Sequence, residues 1–353
     1  TKLDWVHQAA ENMPYLRSVL IIRHGTLLVE WYFNDGSENV AFHIHSASKS
    51  FTSALVGIAV KEGLLTDLDQ KMLDFFPEYD TPQLDPRKRD ITLRHLLTMK
   101  AGFNFNDTAL EWMAYSQSPD WVKYAIELPL IHDPGEDWHY GTPQTNLLSA
   151  IITKVSGMST REFAEQYLFE PLQISIRNWN QDPQGYYTGG HEMYFVPRDM
   201  ARFGFLYLNN GSIDGKQIIP HEWVQESLTD YAEGRVDEGM SSSFYLDVGY
   251  GYQWWLQTFS GYNTFSARGL GGQFIVCIPE LDMIVVTTAS GTVVQEYPNQ
   301  YVEMIDLIRF NILNAIDPTK SVSTSLSVSL TEFLGMIPII ILAIVIIKRY
   351  SKK

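Results

Sequence analysis

The sequence holds one cysteine, Cys277, in 353 residues. A lone thiol excludes an intramolecular disulfide framework and any cysteine-based zinc cluster. Cations are scarce as well: 26 Lys and Arg stand against 41 Asp and Glu, a net charge of −15. That balance lacks the basic footprint of a nucleic-acid binder, so no nucleic-acid partner is expected. Glycine and proline, 24 and 16 residues, are too few for a collagen-like or low-complexity chain. What is present is core-forming material. Hydrophobic residues make up 45% and charged residues 19%. The length suits one large domain or two medium ones.

The few cations are unevenly placed. Lys348, Arg349, Lys352 and Lys353 crowd the last six residues. Without them the remainder carries 22 cations against 41 carboxylates, a net −19. Before this tip, residues 333–347 read FLGMIPIIILAIVII without a charge. The preceding 316–332 includes SVSTSLSVSL, a Ser/Thr-rich linker. A spanning helix needs about 20 apolar residues, and snorkelling Lys348 and Arg349 extend this shorter run. The expectation is a membrane anchor at 333–347 with a cytoplasmic basic tail, 348–353, and the body outside. The layout also resembles archaeal C-terminal surface-sorting signals, which implies a cell-surface location and a removable tail. The opening Thr1 is compatible with a processed, exported chain.

Residues 17–33, RSVLIIRHGTLLVEWYF, read as a hairpin about His24-Gly25. Phe51, Ala54, Leu55, Ile58 and Ala59 recur on one face of a helix over 46–63, which Gly63 stops. Helical patterns follow at 92–99, 118–127, 143–156, 160–168, 197–209 and 220–228. Strand patterns return at 248–258, 264–268, 272–278 and 283–289, and 299–314 reads as a closing amphipathic helix. Strands at both chain ends with helices between predict one antiparallel sheet flanked by helices, an α/β fold of the α+β kind. The sheet domain is assigned to 1–63 and 241–315, and the inserted helical domain to 64–240.

Within the first long helix, Ser46-Ala47-Ser48-Lys49 has a chemical meaning. Residues three apart share a helix face, so Lys49 reaches the Ser46 hydroxyl. A helix N-terminus favours developing negative charge. A serine needs an adjacent base to become a nucleophile, and a lysine serves once burial lowers its pKa. The bland alternative is a helix cap beside a solvated lysine. Ser48 has Phe51 three residues on and lacks a basic partner.

The stretch FHIHSASKSFTSALVGIAVKEGLL resembles the nucleophile helix of the serine β-lactamase and penicillin-binding-protein superfamily. The likeness is strongest to its class C β-lactamase-like branch of esterases, D-amino peptidases and nylon-oligomer hydrolases. It continues in order through ITLRHLLTMKAG at 91–102, PGEDWHYGTPQTNLLSAIITKVSG at 134–157, PRDMARFGFLYLNNGSIDGKQIIP at 197–220 and GLGGQFIVCIP at 269–279. The resemblance implies a β-lactamase/DD-peptidase-like fold. It also implies Ser46 as nucleophile, Lys49 as base and Tyr140 as the tyrosine that assists proton transfer. Thr142 stands where the Tyr-x-Asn motif of the family has asparagine. No Lys-Thr-Gly or His-Thr-Gly is found near Ala267-Arg268-Gly269; a G-x-x-G-Q pattern from Gly269 to Gln273 remains. On that register the N–H groups of Ser46 and Leu270 form an oxyanion hole. Thr142, His191, Arg268, Gly271 and Gln273 are the candidate substrate-binding residues.

These features predict a serine hydrolase acting on a small ester or amide, with no cofactor and no metal. The altered motifs keep two alternatives open: a β-lactamase or peptidase of D-amino-acid or cell-wall peptides, and a catalytically silent surface binding protein. His43 and His45 alternate like a metal pair but lack a third ligand at matching spacing. Phe103, Phe105, Trp112, Trp121, Trp254 and Trp255 suggest an apolar cleft wall. Cys277 reads as an inert core thiol.

Overall fold

The computed structural model describes residues 2–233 and 248–320. The end of the linker, the apolar run 333–347, the basic tail and the assigned boundary at 240–241 lie outside the described residues. Among the described residues, no helix is long and apolar enough to cross a membrane.

The hairpin forms between Leu16–Arg23 and Thr26–Tyr32, with His24 and Gly25 in the left-handed region. It joins strands from the other chain end in one seven-stranded antiparallel sheet. The order from one edge is Thr26–Tyr32, Leu16–Arg23, Met283–Ala289, Gln273–Ile278, Tyr262–Gly269, Trp255–Phe259 and Gly249–Tyr250. The chain ends meet where Ile21 lies opposite Val285. Successive strand residues face two cores. Leu20, Ile275, Cys277 and Ile284 pack with Phe51, Ala54 and Leu206. Val19, Phe274, Val276 and Val285 pack with Val6, Ile308 and Leu313. A sheet covered on both faces needs apolar residues at consecutive positions, which is why 283–289 reads MIVVTTA without alternation. The first core runs on into the helical part, since Phe103, Leu147 and Phe163 belong to the same cluster.

The expected helices appear, most of them shortened at one or both ends, while that expected over 143–156 begins one residue earlier. They are Leu93–Leu97, Trp121–Glu127, Thr142–Ser156, Thr160–Ala164, Pro197–Leu208 and His221–Ser227. The segments Glu165–Phe169 and Leu307–Ile312 are π-helical turns, so the closing helix is Gln300–Asp306 and Leu313–Ile316 joined by one. Two differences matter for the site. The helix expected over 46–63 begins as a short 3₁₀ turn, His45–Ala47, and becomes α-helical over Ser48–Lys61. The strand expected over 248–258 is broken, because Gln253 turns the chain at φ 64°.

That turn acts as a brace. Ser50 donates to the Gln253 carbonyl at 2.7 Å and Thr145 to its Oε1 at 2.8 Å. The Gln253 Nε2 donates to the carbonyls of Leu96 and Leu97 at 3.1 and 2.7 Å. One buried residue thus ties the helices Ser48–Lys61, Leu93–Leu97 and Thr142–Ser156 together. A small sheet of Phe42–His43, Met193–Phe195 and Asn178–Trp179 brings the 189–191 loop beside the His45–Ala47 turn.

Two glycines set these approaches. A Cβ on Gly269 would lie 2.1 Å from the Ile44 carbonyl oxygen, and one on Gly190 would lie 2.6 Å from Thr142 Cγ2. Gly269→Ala and Gly190→Ala are therefore expected to lose stability, by roughly 1–3 kcal/mol each. The loss should be larger for Gly269, where backbone rather than a side chain must yield. Urea unfolding midpoints check both.

Candidate active site

Ser46 sits in the 3₁₀ turn, and the chain enters that turn through His45 at φ 49°. A left-handed non-glycine residue costs about 1–3 kcal/mol and persists only when its surroundings fix it. Here they do. Ile44 is fully buried and its N–H donates to the Met193 carbonyl at 3.0 Å. The His45 ring lies 3.8 Å from that of His43, which in turn stacks on Tyr194 at 4.9 Å. The two histidines therefore do structural work. Burial pushes the His45 pKa down to about 3, and His43 Nε2 accepts the Glu192 N–H at 3.0 Å. Among the described residues, no cluster of three or more His, Cys, Asp or Glu side chains forms that could hold a metal.

Lys49 lies one turn on and is 1% exposed. Its Nζ donates to Ser46 Oγ at 3.1 Å, to Thr142 Oγ1 at 2.9 Å and to the Gly190 carbonyl at 3.0 Å. The Gly190 carbonyl is held in place because the Gly190 N–H donates to Asn146 Oδ1 at 2.9 Å and the Gly189 carbonyl accepts from Thr52 at 2.7 Å. Burial pulls the Lys49 pKa down to about 8, against the opposing pull of the Asp107 carboxylate. The ammonium also lies 4.9 Å from the Tyr140 ring centre. Tyr140 packs on Trp255 at 5.6 Å and edge-on to Tyr250. Burial raises the Tyr140 pKa well above the usual phenol value, while a hydrogen bond with Ser46 pulls the other way. Tyr140 is thus a neutral phenol at physiological pH, and Lys49 is the group able to lose a proton near neutrality.

The predicted residues divide into two sets. Ser46, Lys49, Tyr140 and Thr142 come together, and Leu270 follows directly on Gly269, which touches the main chain two residues before Ser46. His191 adjoins the Gly190 carbonyl. Its ring stands edge-on to Trp112 at 4.5 Å and lies 6.0 Å from Trp121. Neither of its ring nitrogens has a hydrogen-bond partner among the described residues, and burial drives its pKa well down. Three of the candidate residues are engaged within the protein. Gln273 pairs its amide with the neighbouring strand: Nε2 donates to the Ala289 carbonyl, and Oε1 accepts the Ala289 N–H at 3.1 Å. The Gly271 carbonyl is taken by Gln300 at 2.7 Å. The guanidinium of Arg268 is held by Ser266 at 2.7 Å and Gln257 at 3.1 Å, between the Trp255 and Phe259 rings. These three side-chain or main-chain groups brace the sheet end. Of the aromatics, Phe103, Phe105 and Trp254 are core, whereas Trp112 and Trp121 flank His191 and Trp255 backs Tyr140.

One residue at the site carries no motif in the sequence. Asp107 accepts the Thr142 hydroxyl proton at 2.7 Å and the Thr142 N–H at 3.2 Å. It precedes a helix, Ala109–Ser116, whose capping box of Thr108 and Glu111 is readable as T-x-x-E. That signal marks the helix start but says nothing of the contact with Thr142. A surface depression of about 1100 Å³ between Gly157 and Ile176 holds none of the site residues.

Known proteins carry the same plan. The chain is 26% identical over 294 residues to the 6-aminohexanoate-dimer hydrolase of Paenarthrobacter ureafaciens, covering 77% of this chain and 71% of that one. It is 29% identical over 153 residues to the lovastatin esterase of Penicillium rubens, covering 38% of each. The octameric penicillin-binding protein homologue from Pyrococcus abyssi superposes with a TM-score of 0.65 at 21% identity, over 87% of this chain and 76% of that one. The model of the Beta-lactamase family matches residues 17–301. On that match, and on the fold shared with the penicillin-binding protein homologue, the chain belongs to the Beta-lactamase family, in the superfamily of serine β-lactamases and penicillin-binding proteins.

Proposed function

We propose that this chain is a serine hydrolase that cleaves an ester or small amide through an acyl-enzyme on Ser46. The observation that carries this reading is Lys49, a buried amine with its pKa drawn down to about 8 and its Nζ 3.1 Å from a serine hydroxyl. Structural lysines are not usually stripped of water beside a serine at a turn held in a strained conformation. The named activities of two relatives, hydrolysis of a 6-aminohexanoate dimer and of lovastatin, support an amide or ester substrate.

Neutral Lys49 takes the Ser46 proton as Oγ attacks the substrate carbonyl. The N–H groups of Ser46 and Leu270 receive the oxyanion. Tyr140, a phenol bonded to Ser46, passes the proton to the departing alcohol or amine and is reprotonated from Lys49. Water then attacks the acyl ester by the reverse route and frees the acid. Thr142 presents a hydroxyl where an amide would suit a β-lactam, which favours the esterase or amidase over the β-lactamase.

Two outcomes test the chemistry. Labelling with a fluorophosphonate should add one adduct to Ser46, seen by intact mass. Ser46→Ala should abolish the adduct and Lys49→Ala should slow it about 10²–10⁴-fold. Unchanged labelling in either variant refutes the corresponding role. Because the neutral amine is the reactive form, kcat/KM for an ester should rise with pH through about 8 and then level off. A rate already flat from about pH 6 upward would remove Lys49 as the base.

The apolar run at 333–347 and the basic tip support a membrane anchor that leaves the hydrolase outside the cell. The full chain should sediment with vesicles, whereas a chain ending at Lys320 should stay in the supernatant with full activity. Equal partition of the two overturns the anchor.

A further inference from the structure

A neutral amine offers two N–H donors and one lone pair. As a base, Lys49 must direct that lone pair at Ser46, so its other two neighbours must both be acceptors. The Gly190 carbonyl can only accept, and it lies 3.0 Å away. The Thr142 hydroxyl, at 2.9 Å, is ambivalent, because a hydroxyl can donate as readily as accept. A Thr142 hydroxyl that donated to Nζ would occupy the lone pair and leave Ser46 without a base.

Asp107 removes that choice. Its Oδ2 lies 2.7 Å from Thr142 Oγ1 and takes the hydroxyl proton. Its carboxylate also accepts the Thr142 main-chain N–H at 3.2 Å. That second bond caps the helix Thr142–Ser156, whose own N-cap residue, Gly141, has no side chain to do so. Asp107 is itself held at φ 53°, with Glu111 anchored nearby on Thr108 and Asn106. We infer that Asp107 is a positioning residue: by holding the Thr142 proton it turns Thr142 into a pure acceptor and leaves Ser46 as the only donor to the Lys49 lone pair. This inference rests on the Ser46–Lys49 hydrolase reading. It also gives the Asn-to-Thr departure a reason, since a threonine paired with a carboxylate supplies the acceptor that an asparagine supplies through its amide oxygen.

The groups around Lys49 make the effect readable. Tyr140 faces it from the 138–141 loop as a phenol, and His45 and His191 face it as imidazoles kept neutral by burial. His43 lies behind His45, also held neutral by burial, with Glu192 beyond it. Asp107 is the carboxylate that favours the charged form of Lys49. Its loss should therefore move the rising limb of the pH profile to lower pH, while the misdirected lone pair lowers the plateau.

The experiment is the single-turnover rate of Ser46 acylation by a nitrophenyl ester, measured against pH for wild type, Asp107→Asn, Thr142→Val, Thr142→Ser and the Asp107→Asn/Thr142→Val double variant, with thermal melts alongside. Asp107→Asn should lower the plateau about tenfold or more and shift the limb to the acid side. Thr142→Val should lower the plateau well below that of Thr142→Ser, which retains a hydroxyl to accept from Lys49 and donate to Asp107. In the Thr142→Val background, Asp107→Asn should cost nothing further on the plateau. Wild-type plateau and limb in Asp107→Asn overturn the inference, and so does a full multiplicative loss in the double variant. Should Asp107→Asn fail to fold, the Val and Ser pair at Thr142 decides: equal plateaus overturn it. A wild-type chain that does not acylate at Ser46 overturns the hydrolase reading and this inference with it. Normal wild-type acylation with an indifferent Asp107 overturns this inference alone.

Discussion

A positive charge enclosed by protein governs this structure. Lys49 is almost wholly removed from water, and an isolated buried ammonium is costly unless every proton it carries finds an acceptor. Ser46, Thr142 and Gly190 supply one acceptor each, from three separate segments of the chain. Those segments must be placed so that each acceptor lies about 3 Å from the same nitrogen. Much of the unusual local geometry follows from that requirement.

The 3₁₀ turn at Ser46 is entered through a left-handed His45 so that the hydroxyl faces the lysine one turn on. The 189–190 loop lies flush against the helix Thr142–Ser156 because neither residue has a side chain to hold it off: a Cβ on Gly189 would lie 2.4 Å from the Thr145 carbonyl oxygen. Gln253 locks the same helix to Ser48–Lys61 through two hydrogen bonds, one from each helix. The continuous core beneath makes the sheet and the helical insert one support for the lysine. Water exclusion then makes the amine a base near neutrality, and the burial that makes it costly also makes it useful.

How far the sequence disclosed this depends on whether a feature is local. Helix faces, the hairpin and the two-sided strands follow from periodicity, so the sheet built from both chain ends was legible. So was the Ser46–Lys49 pair, because residues three apart on one turn must meet. The break at Gln253 was not legible, since a glutamine at φ 64° has no compositional mark; its cause is tertiary, in the bonds to Leu96, Leu97 and Thr145. The internal bonds of Gln273, Gly271 and Arg268 were not legible for a related reason. A polar residue beside a glycine-rich turn looks the same in sequence whether it serves a ligand or the neighbouring strand. Asp107 was missed because its partner lies 35 residues away and the capping box beside it explains the local pattern.

The single cysteine takes on a use that its chemistry alone would not suggest. Cys277 is fully buried between the sheet and the helix Pro197–Leu208, with its Sγ 3.6 Å from the Gly204 carbonyl, and burial pushes its thiol pKa upward. Gly204 leaves just enough room there, since a Cβ on it would lie 2.7 Å from Ile275 Cγ2. A thiol in that seam can meet a reagent only when the helix lifts from the sheet. The wild-type chain therefore carries one built-in clock for the opening of its central core, with no other thiol to confuse the reading.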